Sequence, residues 1–337
     1  MLLAMALLAA SALGSAQAAP LFTDRLTGEA IDARIDPAAY EIAATAVRSG
    51  KLPSDMSAKR VAFDKLARDL AGEPETVMRV ENLKAGAVPI RLYRPGEGLM
   101  PAIIFTHGGS FEKGSLDSHD APLRLLANRC HCVVLAVDYR LAPEHKHPVQ
   151  IEDAYTVLRW AAANAKALEI LPDQFVVAGD GAGGNLAAMV ALRARDERGP
   201  KIIYQALFYP ATDLSLGSET WRRFGGGPWA NAADEAKALR ERYLPAGLDP
   251  KDPRVSPLYA DLKGLPPAFV AVTEFSGYRD EGQAYAARLR AAGVPAEGKA
   301  YAGQLHDFLL MTGRVEASRQ LIDDVAARLR RAFGYVE

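Results

Sequence analysis

The 337-residue chain has only two cysteines, almost no net charge, no internal repeat and no low-complexity tract. Each shortage excludes something. A formal net charge of -1 gives no field with which to gather nucleic acid. The apolar run from Leu2 to Leu13 is too short to span a bilayer, so no stable membrane anchor is expected. The two cysteines, Cys130 and Cys132, flank one residue at the start of a β-rich run. On a strand their side chains would share one face, and a ring closed between them would be strained. Cys130-His131-Cys132 has no fourth ligand nearby for a metal. Two buried free thiols are therefore expected. His145 and His147 also lack a third ligand and read as surface histidines.

What is present is an ordinary globular balance, 49% hydrophobic and 24% charged. The first residues stand apart. They carry no charged side chain, then an apolar run, then Ala16-Gln17-Ala18. This reads as a signal peptide, residues 1–18, cut after Ala18, which places the mature chain in a periplasm or outside the cell. A buried N-terminal segment is the alternative, because the n-region has no Lys or Arg. Residues 19–75 hold two helical patterns, "DPAAYEIAATAVRSG" and "SDMSAKRVAFDKLARDL", and form an N-terminal helical cap segment. From 76 to 337, strand-like and helical runs alternate. That pattern predicts an α/β fold with a mostly parallel sheet and helices on both faces. An insertion at about 214–256 interrupts it and is read as a lid over the carboxyl edge of the sheet, where ligands bind in open α/β folds. Trp221, Phe224 and Trp229 in that insertion either line an acyl or alcohol pocket or pack the lid. Arg140, Glu144 and Asp153 are expected to form an ion-pair cluster under "YRLAPE".

Two motifs carry chemistry. "IIFTHGGSF" is a strand that ends in His107-Gly108-Gly109, a backbone able to approach a ligand closely with its N–H groups exposed. "FVVAGDGAGGNLAAM" is a strand that turns into a helix. Its G-x-x-x-G is the frame of a nucleophile elbow, except that position 181 is Gly rather than Ser. Together they assemble an oxyanion hole from the N–H groups of Gly108, Gly109 and Ala182.

The chain resembles the hormone-sensitive-lipase-like branch of the α/β-hydrolase fold, the bacterial carboxylesterases and their plant relatives. The resemblance rests on His107-Gly108-Gly109, "DYRLAPEH", "GDGAGGN", "RDEGQAYAARLRAAGVP" and "GQLHDF", and it runs over residues 75–333. It implies an eight-stranded sheet with a helical lid. It also assigns positions. The nucleophilic serine of the family falls on Gly181. The aspartate of its D-P-L-R-D-E-G run falls on Ser276, in Ser276-Gly277-Tyr278-Arg279-Asp280-Glu281-Gly282. The histidine is retained as His306, followed by Asp307 where the family usually has Gly.

With both positions substituted, ordinary serine-esterase activity is not expected. Asp280, with Glu274 and Asp307 near it, is the candidate substitute acid. Ser110, beside the oxyanion loop, would require His306 to be relocated before it could act as a nucleophile. Two functions stay open. One is binding of a small ester-like or carbonyl ligand, as the plant gibberellin receptors of this branch do. The other is residual or non-hydrolytic catalysis by His306, water and the oxyanion hole. The motifs call for no cofactor. The sequence leaves association between copies open.

Overall fold

The computed structural model describes residues 19–49, 55–226 and 232–335. The leader at 1–18 and Trp229 lie outside them. Two helices come first, α1 (Pro37–Ser49) and α2 (Met56–Ala71). Asp55 caps α2 by accepting from the Ala58 N–H at 2.8 Å. Then follow β1 (Arg79–Ala85), β2 (Val88–Arg94), β3 (Met100–Thr106), α3 (Asp120–Cys130), β4 (Val133–Val137), α4 (Val149–Ala163), β5 (Ile170–Asp180), α5 (Ala182–Asp196) and β6 (Ile202–Phe208). The insertion supplies α6 (Glu219–Phe224) and α7 (Ala232–Tyr243). The chain ends with β7 (Ala268–Phe275), α8 (Arg279–Ala291), β8 (Ala296–Leu305) and α9 (Glu316–Ala332).

The eight strands form one sheet in the order β1-β2-β4-β3-β5-β6-β7-β8. β2 runs antiparallel to both of its neighbours, and every other pairing is parallel. Neighbouring residues of one strand bury on opposite faces, as the two-residue strand period demands. Ile104, Val177 and Leu207 pack with α4, α5 and α8. Ile103, Val176 and Phe208 pack with α1, α3 and α9. Helices on both faces explain why β3 and β4 are buried throughout, with no polar alternation.

This parallel core positions the site. The carboxyl ends of β3, β5, β7 and β8 lie along one edge of the sheet. The next residues in sequence are His107, Gly181, Ser276 and His306.

The structure departs from the sequence expectations in four places. α3 has no counterpart among the helices read from the sequence. Pro122 reads as a break there, yet it lies in the first turn, where proline is tolerated. Cys130 and Cys132 are joined in a disulfide, with their Cα atoms 5.3 Å apart. The expectation of free thiols assumed that both lay on a strand. In fact Cys130 ends α3, and His131 turns the chain in the left-handed region at φ 52° before β4 begins. The ion-pair cluster is two separate pairs: Arg140 with Asp153 at 2.7 Å, and Glu144 with Arg60 of α2 at 2.6 Å. Finally, His147 is half-buried, edge-on to Tyr243 at 6.0 Å, and burial pushes its pKa down to about 4.

The N-terminal segment clasps the insertion. Asp24 is buried and accepts from the Arg223 guanidinium at 2.6 Å. Arg25 donates to the Gly225 carbonyl at 2.5 Å. At the far side of the segment, Arg34 pairs with Glu274 and the Asp36 N–H donates to the Gly303 carbonyl.

Candidate active site

β5 ends at Asp180, and Gly181 makes the turn into α5 with φ 51° and ψ -115°. A non-glycine residue pays roughly 1 to 3 kcal/mol for such a conformation, whereas glycine adopts it freely. A β-carbon built on Gly181 would stand 3.2 Å from Nε2 of His306. The elbow and the histidine therefore meet, as the family positions imply, but without a side chain between them.

The other face of the imidazole meets Ser276. Its Oγ lies 3.1 Å from His306 Nδ1 and accepts from the Tyr278 N–H at 3.2 Å. Asp280 does not reach the ring, which corrects its assignment as substitute acid. The Thr220 N–H donates to its carboxylate at 3.0 Å, and the Asp280 N–H donates to Thr220 Oγ1 at 3.2 Å. The two residues cap each other's helices, α6 and α8. Glu274 is likewise taken, by Arg34 and the Gly303 N–H. The carboxylate near the ring is Asp307, whose Oδ1 lies 3.5 Å from Nε2. It gets there from a left-handed backbone at φ 65°.

The oxyanion loop needs one correction. The Gly108 N–H donates to Asp180 Oδ1 at 2.8 Å and is occupied. Among the described residues, the N–H groups of Gly109, Ser110 and Ala182 have no hydrogen-bond partner. That of Ala182 is one of the open donors at the start of α5. The available donors are therefore Gly109, Ser110 and Ala182. Ser110 supplies its N–H from the left-handed region at φ 59°.

Sequence reasoning missed what holds this loop. Asp180, fully buried, also meets His119 Nε2 at 3.1 Å. Burial alone would raise the Asp180 carboxyl. The charge and hydrogen bond of His119, together with the Gly108 N–H, hold it below the ordinary carboxylate range. His107 stacks on Tyr139 at 4.2 Å, and the Tyr139 hydroxyl donates to the His107 carbonyl. Burial pushes the His107 pKa down to about 3, so the ring is neutral and serves as packing. The chain distance of His119 from both motifs left no local signal for its role.

Two tyrosines frame His306, each with its ring centroid 4.8 Å away: Tyr209 and Tyr278. Burial pushes both phenols well above their ordinary pKa, so neither serves as a proton donor of matched strength. Trp221 stacks behind Tyr278 at 5.0 Å and is almost wholly buried. A β-carbon on Gly277 would sit 2.6 Å from the Trp221 ring. Trp221 thus packs the lid onto the acid loop and is one ring removed from His306. Phe224 meets Phe275 edge-on at 5.6 Å. Glu112, next to the oxyanion loop, is buried and bound by Arg242 of α7; burial raises its carboxyl despite that partner. Among the described residues, no group of three metal-binding side chains is assembled. No helix there is long and apolar enough to cross a membrane.

Comparison with known proteins agrees with this geometry. Residues 103–310 match the family described as alpha/beta hydrolase fold. The chain is 41% identical over 258 residues to the carboxylic ester hydrolase LipN of Mycobacterium tuberculosis, covering 73% of this chain and 69% of that one. It is 36% identical over 280 residues to the carboxylesterase NlhH of the same species, covering 79% of this chain and 87% of that one. Among solved structures, a hyperthermophilic esterase from the archaeon Pyrobaculum calidifontis superimposes with a TM-score of 0.83 at 36% identity, covering 88% of this chain and 98% of that one.

Proposed function

The chain belongs to the α/β-hydrolase fold family, in its hormone-sensitive-lipase-like branch of carboxylesterases, and from that premise we propose that it binds a small ester-like or carbonyl ligand without hydrolysing it through a serine. One observation carries this reading. The elbow residue is Gly181, in the backbone conformation of the turn and against His306, so no atom is positioned to attack. Ser276 opposite Nδ1 supports it, because a hydroxyl cannot stabilise an imidazolium as a carboxylate does. The free N–H groups of Gly109, Ser110 and Ala182 supply what a carbonyl oxygen needs, donors already in place at a helix start.

Phe224 of the insertion is then the aromatic wall available to an apolar substituent, and Trp221 its support. Residual hydrolysis, with His306 acting on water, is the competing function. It depends on an unprotonated Nε2.

The test is a panel of short-chain fluorogenic esters on the purified protein, with His306→Ala alongside, together with a fluorophosphonate probe. No turnover above His306→Ala and no labelled serine are expected. Turnover that vanishes in His306→Ala, or an adduct on Ser110 or Ser276, would establish an enzyme instead.

A further inference from the structure

We infer that His306 is locked with its proton on Nε2, by Ser276 on one side and Asp307 on the other, so that the imidazole is a hydrogen-bond donor to the ligand and not a base. The inference rests on the reading above and assigns Asp307 as a positioning residue of that site.

The hydrogen bonds decide the tautomer. The Ser276 hydroxyl is buried, at 1% exposure, so its proton needs an acceptor. Its oxygen already accepts from the Tyr278 N–H. Among the described residues, His306 Nδ1 is the only other polar atom within reach, at 3.1 Å. Ser276 therefore donates to Nδ1, and Nδ1 carries no proton. The proton of the neutral ring is then on Nε2. Asp307 favours the same arrangement from outside, because its carboxylate at 3.5 Å attracts an N–H and repels a lone pair. A carboxylate at position 276 would do the reverse, holding Nδ1–H and leaving Nε2 basic. Two oxygens, one on either side of the ring, thus compete for one proton, and this chain has placed its charge on the Nε2 side.

A consequence follows for the ligand. The centre of the site presents Nε2–H together with the N–H groups of Gly109, Ser110 and Ala182, all of them donors. An oxygen acceptor such as an ester, lactone or ketone carbonyl satisfies them. The Asp307 charge beside them disfavours a free carboxylate.

The test has a readout independent of activity. In protein labelled with ¹⁵N-histidine, the ring shifts of His306, assigned by its loss in His306→Ala, report the tautomer. The natural chain should show a protonated Nε2 and a bare Nδ1. Ser276→Asp/Asp307→Gly should move the proton to Nδ1. A proton on Nδ1 in the natural chain, or the same tautomer in both proteins, overturns the inference. Glycine suits the left-handed backbone at 307, so that variant is expected to fold. A kinetic arm tests Asp307 alone. Adding Asp307→Gly to Gly181→Ser/Ser276→Asp should raise kcat/KM on p-nitrophenyl butyrate about tenfold or more, since a freed Nε2 can accept the serine proton. No gain removes Asp307 from the assignment. The ester panel on the natural chain bears on the binding function, and the ring shifts bear on the tautomer, so the two fail separately.

Discussion

At the residue scale, Gly181 and Ser276 are a coupled pair of losses. A serine restored at 181 would find donors in Gly109, Ser110 and Ala182, but its β-carbon would press on Nε2 at 3.2 Å, so the ring must yield by a few tenths of an ångström. It would also meet a histidine whose Nδ1 faces a hydroxyl. Gly181→Ser alone is therefore expected to give little esterase activity. Adding Ser276→Asp should raise kcat/KM on p-nitrophenyl butyrate by ~100-fold or more, part of the ~10⁴-fold that separates a charged from a neutral triad partner in serine proteases. Equal rates for the single and the double variant would mean that position 276 is not where the ring takes its orientation. These two positions were legible in the sequence, because each lies in a local run with a fixed offset. The partners of Asp280 and Asp307 were not. Both are acids close to the expected position, and only the helix-cap bond of Thr220 against the turn at φ 65° tells them apart.

At the scale of elements, the strands were readable because helices on both faces make the central ones continuous apolar runs. The joint between α3 and β4 was not. A single left-handed residue, His131, brings two cysteines together that a strand would have kept apart. The Cys130–Cys132 bond closes a ring across one intervening residue. Cross-link entropy for so short a loop is roughly 1 to 2 kcal/mol, against about 3 kcal/mol for a fifteen-residue loop. Cys130→Ala/Cys132→Ala should therefore remain folded and lose about that much stability in urea unfolding. A loss above ~5 kcal/mol would show that the bond holds more of the core than its own joint.

At the scale of the molecule, the oxidised pair supports the proposal that the chain is exported, since such bonds persist outside reducing compartments. The small residues Ala16 and Ala18 then fix the cut. Exported protein should begin at Ala19 by N-terminal sequencing. An intact Met1 on protein confined to the cytoplasm would sink the proposal. The overall architecture was legible from the alternation of strands and helices. The way the N-terminal segment binds the rest was not, because nothing local in its sequence marks a partner about 200 residues away.

That clasp has a consequence in time. Asp24 needs Arg223, Arg34 needs Glu274, and Asp36 needs the carbonyl of Gly303. None of these partners exists while the N-terminal segment is being made. Contacts across such separations close late, after the loop entropy between them has been met by other structure. The first part of the described chain to be synthesised is thus the last to find its place, and the insertion it holds stays unfastened until β7 and β8 have joined the sheet.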